Sequence, residues 1–305
     1  AMIRRRKGKR INVWLIIDKP AGMTSTHVVN RVKRLTDAAK AGHGGTLDPL
    51  ATGVLPIALG EATKTVMYVM DAPKRYRFTI RLGVSTQTDD SEGEILEMSE
   101  KRPSNAEIEA LLPEFTGTIL QRPPDFAAVK IHGERAYDIA RRGDVVDLPE
   151  REVRFDEIVL VERLDLDHAV LEAACGKGAY IRALARDLGE RLGCLGHVTA
   201  LRRLAVGTFT AEADLALDAL VEITEHDTLS QVLVSVSTAL ADIPALAVTE
   251  PQAARLRSGH PIRISRHLVI GETVEGGTIK VLADGDVVAL GRLQDGELAP
   301  LRVFT

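Results

Sequence analysis

The sequence predicts an α+β protein with a mixed, largely antiparallel central sheet and flanking helices, followed by a small β-rich unit. Three observations support this class. The predicted strands and helices do not alternate strictly, which disfavours a doubly wound parallel sheet. The pattern of predicted elements changes near Ala241, where a short helix and two strands around a tight turn are predicted. The length of 305 residues also exceeds the usual size of one domain.

The first part of the chain predicts buried strands interrupted by helices. The apolar runs VWLIID (13–18) and GVLPIALG (53–60) are typical of buried strands. STHVVNRVKRL (25–35) predicts a helix with Ser25 as its N-cap, and EATKTVMYVM (61–70) predicts a second helix. KRYRFTIRLG (74–83) alternates, which predicts a strand with Tyr76 and Phe78 on one face and arginines on the other.

The later part predicts further helices and strands. NAEIEALLPEF (105–115) and RAYDIARRG (135–143) predict helices, and HAVLEAAC (168–175) predicts a strand. AYIRALARDLGERLG (179–193) predicts a helix with an apolar stripe and Gly193 as its C-cap. Beyond residue 241, VTEPQAARLRSG predicts a short helix, and TIKVLADGDVVALGRL predicts two strands around the turn ADGD.

Composition limits the functional class. No uninterrupted apolar run approaches the roughly 18 residues that a membrane span needs, and the basic N-terminus lacks the apolar segment of a signal peptide, so a cytoplasmic protein is expected. Cys175 and Cys194 lie far apart without metal-ligand spacing around them, which predicts buried thiols rather than a disulfide or a zinc site.

Charge is unevenly distributed along a chain whose formal net charge is −4. Basic residues gather in an N-terminal arm, residues 1–10, which is either a nucleic-acid contact or a solubilising tail: Arg4, Arg5, Arg6, Lys7, Lys9 and Arg10. Acidic residues gather in one later stretch: Asp89, Asp90, Glu92, Glu94, Glu97, Glu100, Glu107, Glu109 and Glu114. This pattern predicts one positive and one negative face.

A solitary carboxylate, Asp48, lies within GHGGTLDPLATGVL (42–55), a run of glycines, threonines and small apolar residues. Because an Asp-Pro pair is a common helix start, Asp48 could be an N-cap. Alternatively, the flanking glycines allow a bulky ligand to approach the chain closely. No second acid occurs in a comparable setting, so a chemical role for Asp48 would be nucleophilic or proton-abstracting, with an arginine as partner.

Five stretches occur in matching order with a known family: DKPAGMTS, GHGGTLDPLATGVLPIALGEATK, RYRFTIRLG, AYIRALARDLG and GHVTALRRL. Together they closely resemble the bacterial tRNA pseudouridine synthases of the TruB type, which isomerise the uridine at position 55 in the T-loop of tRNA. The match runs from about Val13 to Gly207, and the tail resembles the C-terminal PUA-like domain of that family.

The resemblance implies the reacting groups. Asp48 would be the catalytic aspartate, either attacking C1′ covalently or removing the 2′ proton to give a glycal. Arg182 would pair with Asp48 and keep it ionised, whereas on its own it is as readily a solvated helix arginine. Tyr76 would stack on the uracil and help the C5 proton to depart, although a packing tyrosine is the ordinary alternative.

The resemblance also implies binding residues around these groups. Tyr180 would line the pocket, and Leu201, otherwise a core leucine, would pack on the other side of the base. His43 would fill the space left by the base that flips out of its stack. Lys19 and Pro20 match a motif that supports the active-site loop.

PPDFAAVKIHGERAYDIARRG resembles the segment inserted in this family, at about residues 122–154, that clamps the RNA arm. The predicted phosphate contacts are Lys64, Lys130, Arg135, Arg141 and Arg142. Residues 125–128 depart from the family pattern, which leaves the RNA contacts of that turn open.

The implied organisation is a basic arm (1–10), a catalytic domain (11–240) and a PUA-like RNA-binding domain (241–305). The isomerisation involves no net redox change, so no cofactor or metal is expected, and the family suggests a monomer that acts on tRNA. Two alternatives stay open at this point: a tRNA-binding folding chaperone that uses the same cleft, and a guide-RNA-dependent relative.

Overall fold

A computed structural model describes residues 8, 11–127, 130–131, 134–144, 147–273 and 275–305. The predicted basic arm lies outside the described residues apart from Gly8, as does Ala128 of the segment that departs from the family pattern.

The strands run in chain order as follows: β1 (Val13–Lys19), β2 (Ala41–His43), β3 (Thr52–Leu59), β4 (Lys74–Leu82), β5 (Val84–Thr86), β6 (Ile95–Met98), β7 (Gly117–Gln121), β8 (Lys130–Ile131), β9 (Glu134–Arg135), β10 (Arg151–Arg163), β11 (His168–Cys175), β12 (Gly196–Val206), β13 (Phe209–Thr210), β14 (Leu215–Ala216), β15 (Leu233–Ser235), β16 (Ala245–Ala247), β17 (Ile262–Arg263), β18 (Thr278–Ala283), β19 (Asp286–Gln294) and β20 (Glu297–Val303). The α-helices are α1 (Ser25–Thr36), α2 (Val66–Met70), α3 (Asn105–Leu111), α4 (Ala136–Arg141), α5 (Ile181–Arg191), α6 (Leu217–Glu225), α7 (Val236–Ala239) and α8 (Glu250–Arg257). Short 3₁₀ helices span Gly60–Thr65, Leu112–Phe115, Leu229–Gln231 and Arg266–Leu268.

A large mixed sheet forms the centre of the molecule, with the order β14-β1-β3-β12-β4-β11-β10-β7. Within it, β1 runs parallel to β14 and β12 runs parallel to β3, whereas the other neighbours along this path are antiparallel. The expected mixed, largely antiparallel sheet is therefore confirmed.

Both faces of the central strands are covered, which explains their unbroken apolar sequences. On one face, the valines of α1 and the apolar stripe of α5 pack into the main core with Leu15, Ile17 and Phe78. On the other face, Trp14 and Ile16 belong to a second apolar cluster. Strand β4 exposes Arg75 and Arg77 and buries Phe78 and Ile80 on the opposite face, as its alternation predicts, with Tyr76 half-buried.

Several predicted boundaries are wrong by a few residues. Thr24, not Ser25, is the N-cap of α1, because the Thr24 side chain accepts a hydrogen bond from the His27 amide. The predicted helix 61–70 divides into a 3₁₀ turn and α2. The segment between β7 and β10 spans residues 122–150, because β10 begins at Arg151, and it lies within the insertion predicted at about residues 122–154. From here "the insert" means residues 122–150.

The C-terminal part forms its own five-stranded sheet, in the order β16-β18-β19-β20-β17, with its own apolar core. It contacts the central sheet through the second apolar cluster, where Phe304 joins Trp14. The Lys280 ammonium of β18 also donates to the carbonyls of Ser237 (3.1 Å) and Leu240 (3.0 Å). Within the described chain, no helix has the length and apolar composition needed to cross a bilayer.

Candidate active site

Asp48 lies in the loop between β2 and β3, next to a turn in which its carbonyl accepts the Ala51 amide at 3.0 Å. Strand β3 begins four residues later, at Thr52. No helix starts at this point of the described chain, so the N-cap interpretation of Asp48 is wrong. The carboxylate is 32% exposed, which leaves it accessible to a ligand.

The Arg182 guanidinium, on the first turn of α5, binds both oxygens of Asp48. Arg182 Nε donates to Oδ2 at 2.8 Å and Nη2 donates to Oδ1 at 3.1 Å. This two-point geometry suits an ionised carboxylate and fixes its orientation. The arginine side chain is only 4% exposed, so it is not the solvated helix arginine of the alternative interpretation.

A second carboxylate shares this arginine. Asp90 is as buried as Arg182, at 4% exposure, and its Oδ2 lies 3.9 Å from Arg182 Nε. Burial opposes the positive charge of Arg182, but Asp48 and Asp90 outweigh this effect, and the pKa of the guanidinium lies above its ordinary value. The sequence groups Asp90 with an acidic stretch that predicts a negative face, but this buried carboxylate belongs to the site of Asp48 and Arg182.

Arg203 was not predicted as a site residue, yet its buried guanidinium organises the loop of Asp48. It donates to the carbonyls of Gly45 (3.0 Å), Thr46 (3.3 Å) and Val54 (2.8 Å). A Cβ on Gly53 would lie 2.2 Å from the Arg203 carbonyl oxygen, so only glycine permits β12 to approach β3 this closely. Alternation along β12 could have revealed Arg203, because its exposed neighbour Arg202 points the other way.

Tyr76 and Leu201 lie on adjacent strands of the central sheet. Tyr76 on β4 is half-buried and pairs with Arg203 on β12, and Leu201 pairs with Phe78 in the main core. Burial raises the pKa of the Tyr76 phenol, although the nearby Arg203 charge opposes the shift. The phenol is therefore protonated near neutral pH, which favours a stacking role over that of a phenolate base.

His43 ends β2, close to the loop of Asp48. Its Nδ1 accepts a hydrogen bond from the Gly45 amide at 3.4 Å, which places the ring proton of a neutral imidazole on Nε2. Burial lowers the pKa of His43, and the Arg203 charge lowers it further. The residue that is predicted to occupy the space of an extruded base is therefore uncharged near neutral pH.

Lys19 supports the Asp48 loop through main-chain carbonyls, and its ammonium is not directed at a ligand. Its buried ammonium donates to the carbonyls of Pro20 (2.8 Å), Met23 (2.7 Å) and Pro49 (3.1 Å). Pro49 directly follows Asp48, so this lysine links the segment 19–23 to the Asp48 loop. Burial lowers the pKa of Lys19 to about 8, against the opposing attraction of Asp48.

Tyr180 precedes α5 and is held by groups on two strands. The Gln121 side chain accepts the Tyr180 amide at 2.9 Å and donates to the Tyr180 carbonyl at 3.2 Å. The Arg151 guanidinium lies 5.7 Å from the centre of the tyrosine ring. Burial raises the pKa of the Tyr180 phenol.

The predicted phosphate contacts differ in their surroundings. Lys64 forms an ion pair with Glu61 and donates to the Val303 carbonyl of β20 at 2.6 Å, so its ammonium already links the central and C-terminal sheets. The remaining four lie in the insert: Lys130 and Arg135 are paired residues of β8 and β9, whereas Arg141 and Arg142 are exposed near the end of α4.

Buried charge continues along α5 beyond Arg182. Arg186 pairs with Asp89, and both residues are buried. Asp89 therefore does not belong to the negative face that the acidic stretch predicts. Among the described residues, no group of three or more His, Cys, Asp or Glu side chains could hold a metal ion. Cys175 and Cys194 are buried free thiols, as predicted.

Family models place the chain in a class. The model described as "TruB family pseudouridylate synthase (N terminal domain)" matches residues 33–181, which include Asp48 and Tyr76. The model described as "tRNA pseudouridylate synthase B C-terminal domain" matches residues 182–241, starting at Arg182. The arginine-paired aspartate in the loop before β3 thus belongs to a chain of the pseudouridylate synthase class.

Curated relatives specify the family. The chain is 51% identical over 304 residues to "tRNA pseudouridine synthase B" of Cereibacter sphaeroides, covering 99% of both chains. It is 50% identical over 306 residues to the protein of the same name from Gluconacetobacter diazotrophicus, covering 99% of this chain and all of the relative. The chain belongs to the TruB family of pseudouridylate synthases.

Solved structures support the fold. A chain in "Crystal structure of the archaeal box H/ACA sRNP Nop10-Cbf5 complex" gives a TM-score of 0.76 at 22% identity and covers 99% of this chain and 93% of that one. A chain in "Structure of H/ACA RNP bound to a substrate RNA containing 2'-deoxyuridine" gives the same score at 23% identity, covering 96% and 85%. At this level of identity, the similarity concerns the fold alone.

Proposed function

We propose that this chain isomerises uridine to pseudouridine in tRNA, at position 55 of the T-loop. The observation that carries the proposal is the Asp48–Arg182 pair. In this pair a carboxylate of fixed orientation is partly exposed, in the loop between β2 and β3 of a TruB-family fold. A protein that only bound RNA would gain nothing from an accessible acid, because a carboxylate repels phosphates.

The reaction keeps every atom of the nucleotide. The bond from ribose C1′ to N1 breaks, the uracil turns within the site, and a bond from C1′ to C5 forms while C5 loses a proton and N1 gains one. Asp48 supplies the carboxylate, either as a nucleophile at C1′ or as the base that removes the 2′ proton. Arg182 orients this carboxylate and stabilises its charge.

The surrounding residues bind the displaced base. Tyr76 stacks on one face of the uracil and Leu201 packs against the other, with Tyr180 lining the pocket. His43 occupies the space that the flipped nucleotide leaves in the RNA, and Lys19 with Pro20 keeps the Asp48 loop in place. Flipping is required because a base stacked in the folded T-loop does not expose C1′.

The insert and the C-terminal sheet hold the RNA. Basic residues of the insert, Lys130, Arg135, Arg141 and Arg142, contact phosphates of the T-arm, and Lys64 is a further candidate. Residues 11–240 form the catalytic domain and residues 241–305 form a PUA-like RNA-binding domain. The protein acts as a monomer in the cytoplasm, where it meets its tRNA substrates.

The test uses the full chain and an unmodified T-arm stem-loop, without any guide RNA. Wild-type protein is expected to form pseudouridine at position 55, as mapped by chemical derivatisation. Asp48→Asn should lower the single-turnover rate at least about a thousandfold while leaving RNA binding within about threefold, because the amide lacks the charge and basicity of the acid.

Asp18→Asn is the matched control. Asp18 is also 32% exposed and also binds an arginine at two points, with Arg202 Nη1 at 3.0 Å and Nη2 at 3.2 Å. We expect this variant to keep its activity within about threefold. Product formation by Asp48→Asn at the wild-type rate would overturn the proposal, as would a wild-type protein that binds the stem-loop and modifies it only when a guide RNA is added.

A further inference from the structure

The two ends of the insert are attached to the helix that carries Arg182. Gln121, the last residue before the insert, holds the backbone of Tyr180 with two hydrogen bonds. Arg151, the first residue after the insert, lies opposite Gln121 on β10 and covers the Tyr180 ring. Tyr180 is the N-cap residue of α5 and has no capping bond from its own side chain. The side-chain amide of Gln121, which lies on β7, thus fixes the start of α5.

Two arginines on α5 also hold the first residues of the insert. Arg182 Nη2 donates to the Phe126 carbonyl at 3.1 Å while it binds Asp48. Arg186 Nη2 donates to the Arg122 carbonyl at 2.7 Å. Residues four apart on a helix lie on the same face, so the two guanidinium groups face the root of the insert side by side.

Arg186 is held in this position by buried charge. Its Nη1 lies 3.3 Å from Asp89 Oδ2 and its Nε lies 2.9 Å from Asp187 Oδ1. The Asp89 loop is the same one that supplies the Thr88 carbonyl to Arg182 at 3.1 Å. Loop 88–90, the root of the insert and α5 therefore meet at two adjacent guanidinium groups.

We propose that Arg186 is a positioning residue that couples the insert to the Asp48–Arg182 pair. The inference rests on the proposed function, because it assumes that the insert binds the RNA substrate. By fixing the Arg122 carbonyl, Arg186 keeps the Phe126 carbonyl against Arg182, and the orientation of Arg182 in turn sets the direction of the Asp48 carboxylate. RNA contacts made by the insert are thereby transmitted to the reacting group through backbone carbonyls.

A purely structural role for Arg186 predicts a different result. A buried ion pair that only contributes to folding would lower stability when it is removed, but the folded variant would react normally at saturating RNA. A coupling residue lowers the rate of the folded, RNA-bound enzyme, because small displacements of a catalytic group are costly. The rate constant at saturation separates these two roles.

The experiment compares Arg186→Gln with Arg191→Gln on the T-arm stem-loop. Arg186→Gln removes the guanidinium that reaches both Asp89 and the Arg122 carbonyl, and we expect the single-turnover rate at saturating RNA to fall about 30-fold. Arg191→Gln makes the same change at the far end of α5, at an arginine that is 56% exposed and pairs with Glu114, and should stay within about twofold. RNA dissociation constants, measured with each change added to Asp48→Asn, should rise no more than about threefold.

Hydrogen exchange gives a readout that does not depend on turnover. Arg186→Gln should speed amide exchange at Arg122 and at residues 125–127, whereas Arg191→Gln should leave it unchanged. If Arg186→Gln does not fold, Asp89→Asn serves instead, because it weakens the anchor of Arg186 while conserving shape, and a rate loss of about fivefold is expected.

The outcomes are distinguishable. If the wild type forms no pseudouridine, the proposed function fails. If the wild type reacts and a folded Arg186→Gln variant reacts equally fast at saturation, or if Arg191→Gln slows the reaction as much, the coupling proposed for Arg186 is overturned.

Discussion

Three buried arginines bind main-chain carbonyls with their guanidinium groups, and two of them, Arg182 and Arg186, bind carboxylates as well. Arg182 reaches Thr88 and Phe126, and Arg203 reaches three carbonyls around the Asp48 loop. Loops lack the repeated hydrogen bonds of helices and strands, so their carbonyls need such partners when they are buried. The guanidinium groups in this site therefore fix the backbone around Asp48 as well as the orientation of its carboxylate.

The buried ammonium of Lys19 makes stability depend on pH. Its pKa is lowered to about 8 in the folded protein, from the ordinary value of 10.5, so between these values the unfolded chain binds more protons. Stability therefore rises as pH increases from about 8 to 10.5, by up to about 1.4 kcal/mol per pH unit for one proton. Lys19→Met should reduce this slope relative to wild type, as measured by urea unfolding at pH 8, 8.5 and 9.

Lys74→Met provides the comparison for this prediction. Burial lowers the pKa of Lys74 to about 8 as well, so each single variant should lose part of the slope and the double variant should lose more. Other groups that titrate in this range are common to all four proteins. If the slope of stability against pH were unchanged in Lys19→Met, the pKa of Lys19 would not differ between the folded and unfolded states.

At the scale of residues, the sequence identified Asp48 because of its unusual neighbours, but not Asp90 or Arg203. Asp90 sits among many acidic residues, and its role depends on a contact with Arg182 that no local pattern encodes. Arg203 would have followed from alternation only if β12 had been predicted as a strand. Local chemistry marks a reactive residue, whereas its supporting groups come from distant segments.

At the scale of elements, the approach of β12 to β3 positions the Asp48 loop. Gly53 has a φ of +105° and no room for a side chain against the Arg203 backbone. We expect Gly53→Ala to lower the free energy of unfolding by at least about 3 kcal/mol, because it adds both strain and a clash that only backbone movement can relieve. The rate of pseudouridine formation should also fall, because Arg203, which holds the Asp48 loop, would shift.

Gly285→Ala is the control for backbone strain without a clash. Gly285 has a φ of +86° in the turn between β18 and β19, and a Cβ there would meet no atom within 4 Å. Its cost should be about 1 to 2 kcal/mol. Urea unfolding of both variants measures the difference, and equal costs would refute the importance of the close approach.

Elements with strong periodicity were predictable, and those without it were not. Strand β1, the helix α5 and the β18–β19 hairpin follow from apolar runs, an apolar stripe and an Asp-Gly turn. Strand β10 has many exposed charged residues and bulges in its pairing with β11, so its pattern is not that of a regular half-buried strand. Its length comes from pairing with β7 and β11 on both sides.

At the scale of the whole molecule, the C-terminal sheet is joined to the central sheet by an apolar cluster and by lysine contacts. Lys64 and Lys280 each cross between the two parts and bind carbonyls of the other. An acidic protein that binds RNA must concentrate its cations locally, because its net charge of −4 repels phosphates at long range. The sequence shows the total charge, but only the folded chain brings the first residues of the insert close to Asp48, through Arg182.

This arrangement predicts how RNA affinity depends on salt. Arg142 of the insert is 55% exposed and pairs with Asp144, and Arg191 at the far end of α5 is 56% exposed and pairs with Glu114. Surface pairs of this kind are weak, so either arginine could exchange its partner for a phosphate. If the insert binds the RNA backbone, Arg142→Gln should reduce the slope of log affinity against log salt concentration by about 0.7 to 0.9, because one fewer counterion is released. Arg191→Gln should leave the slope unchanged, and equal slopes for both variants would place the RNA elsewhere on the surface.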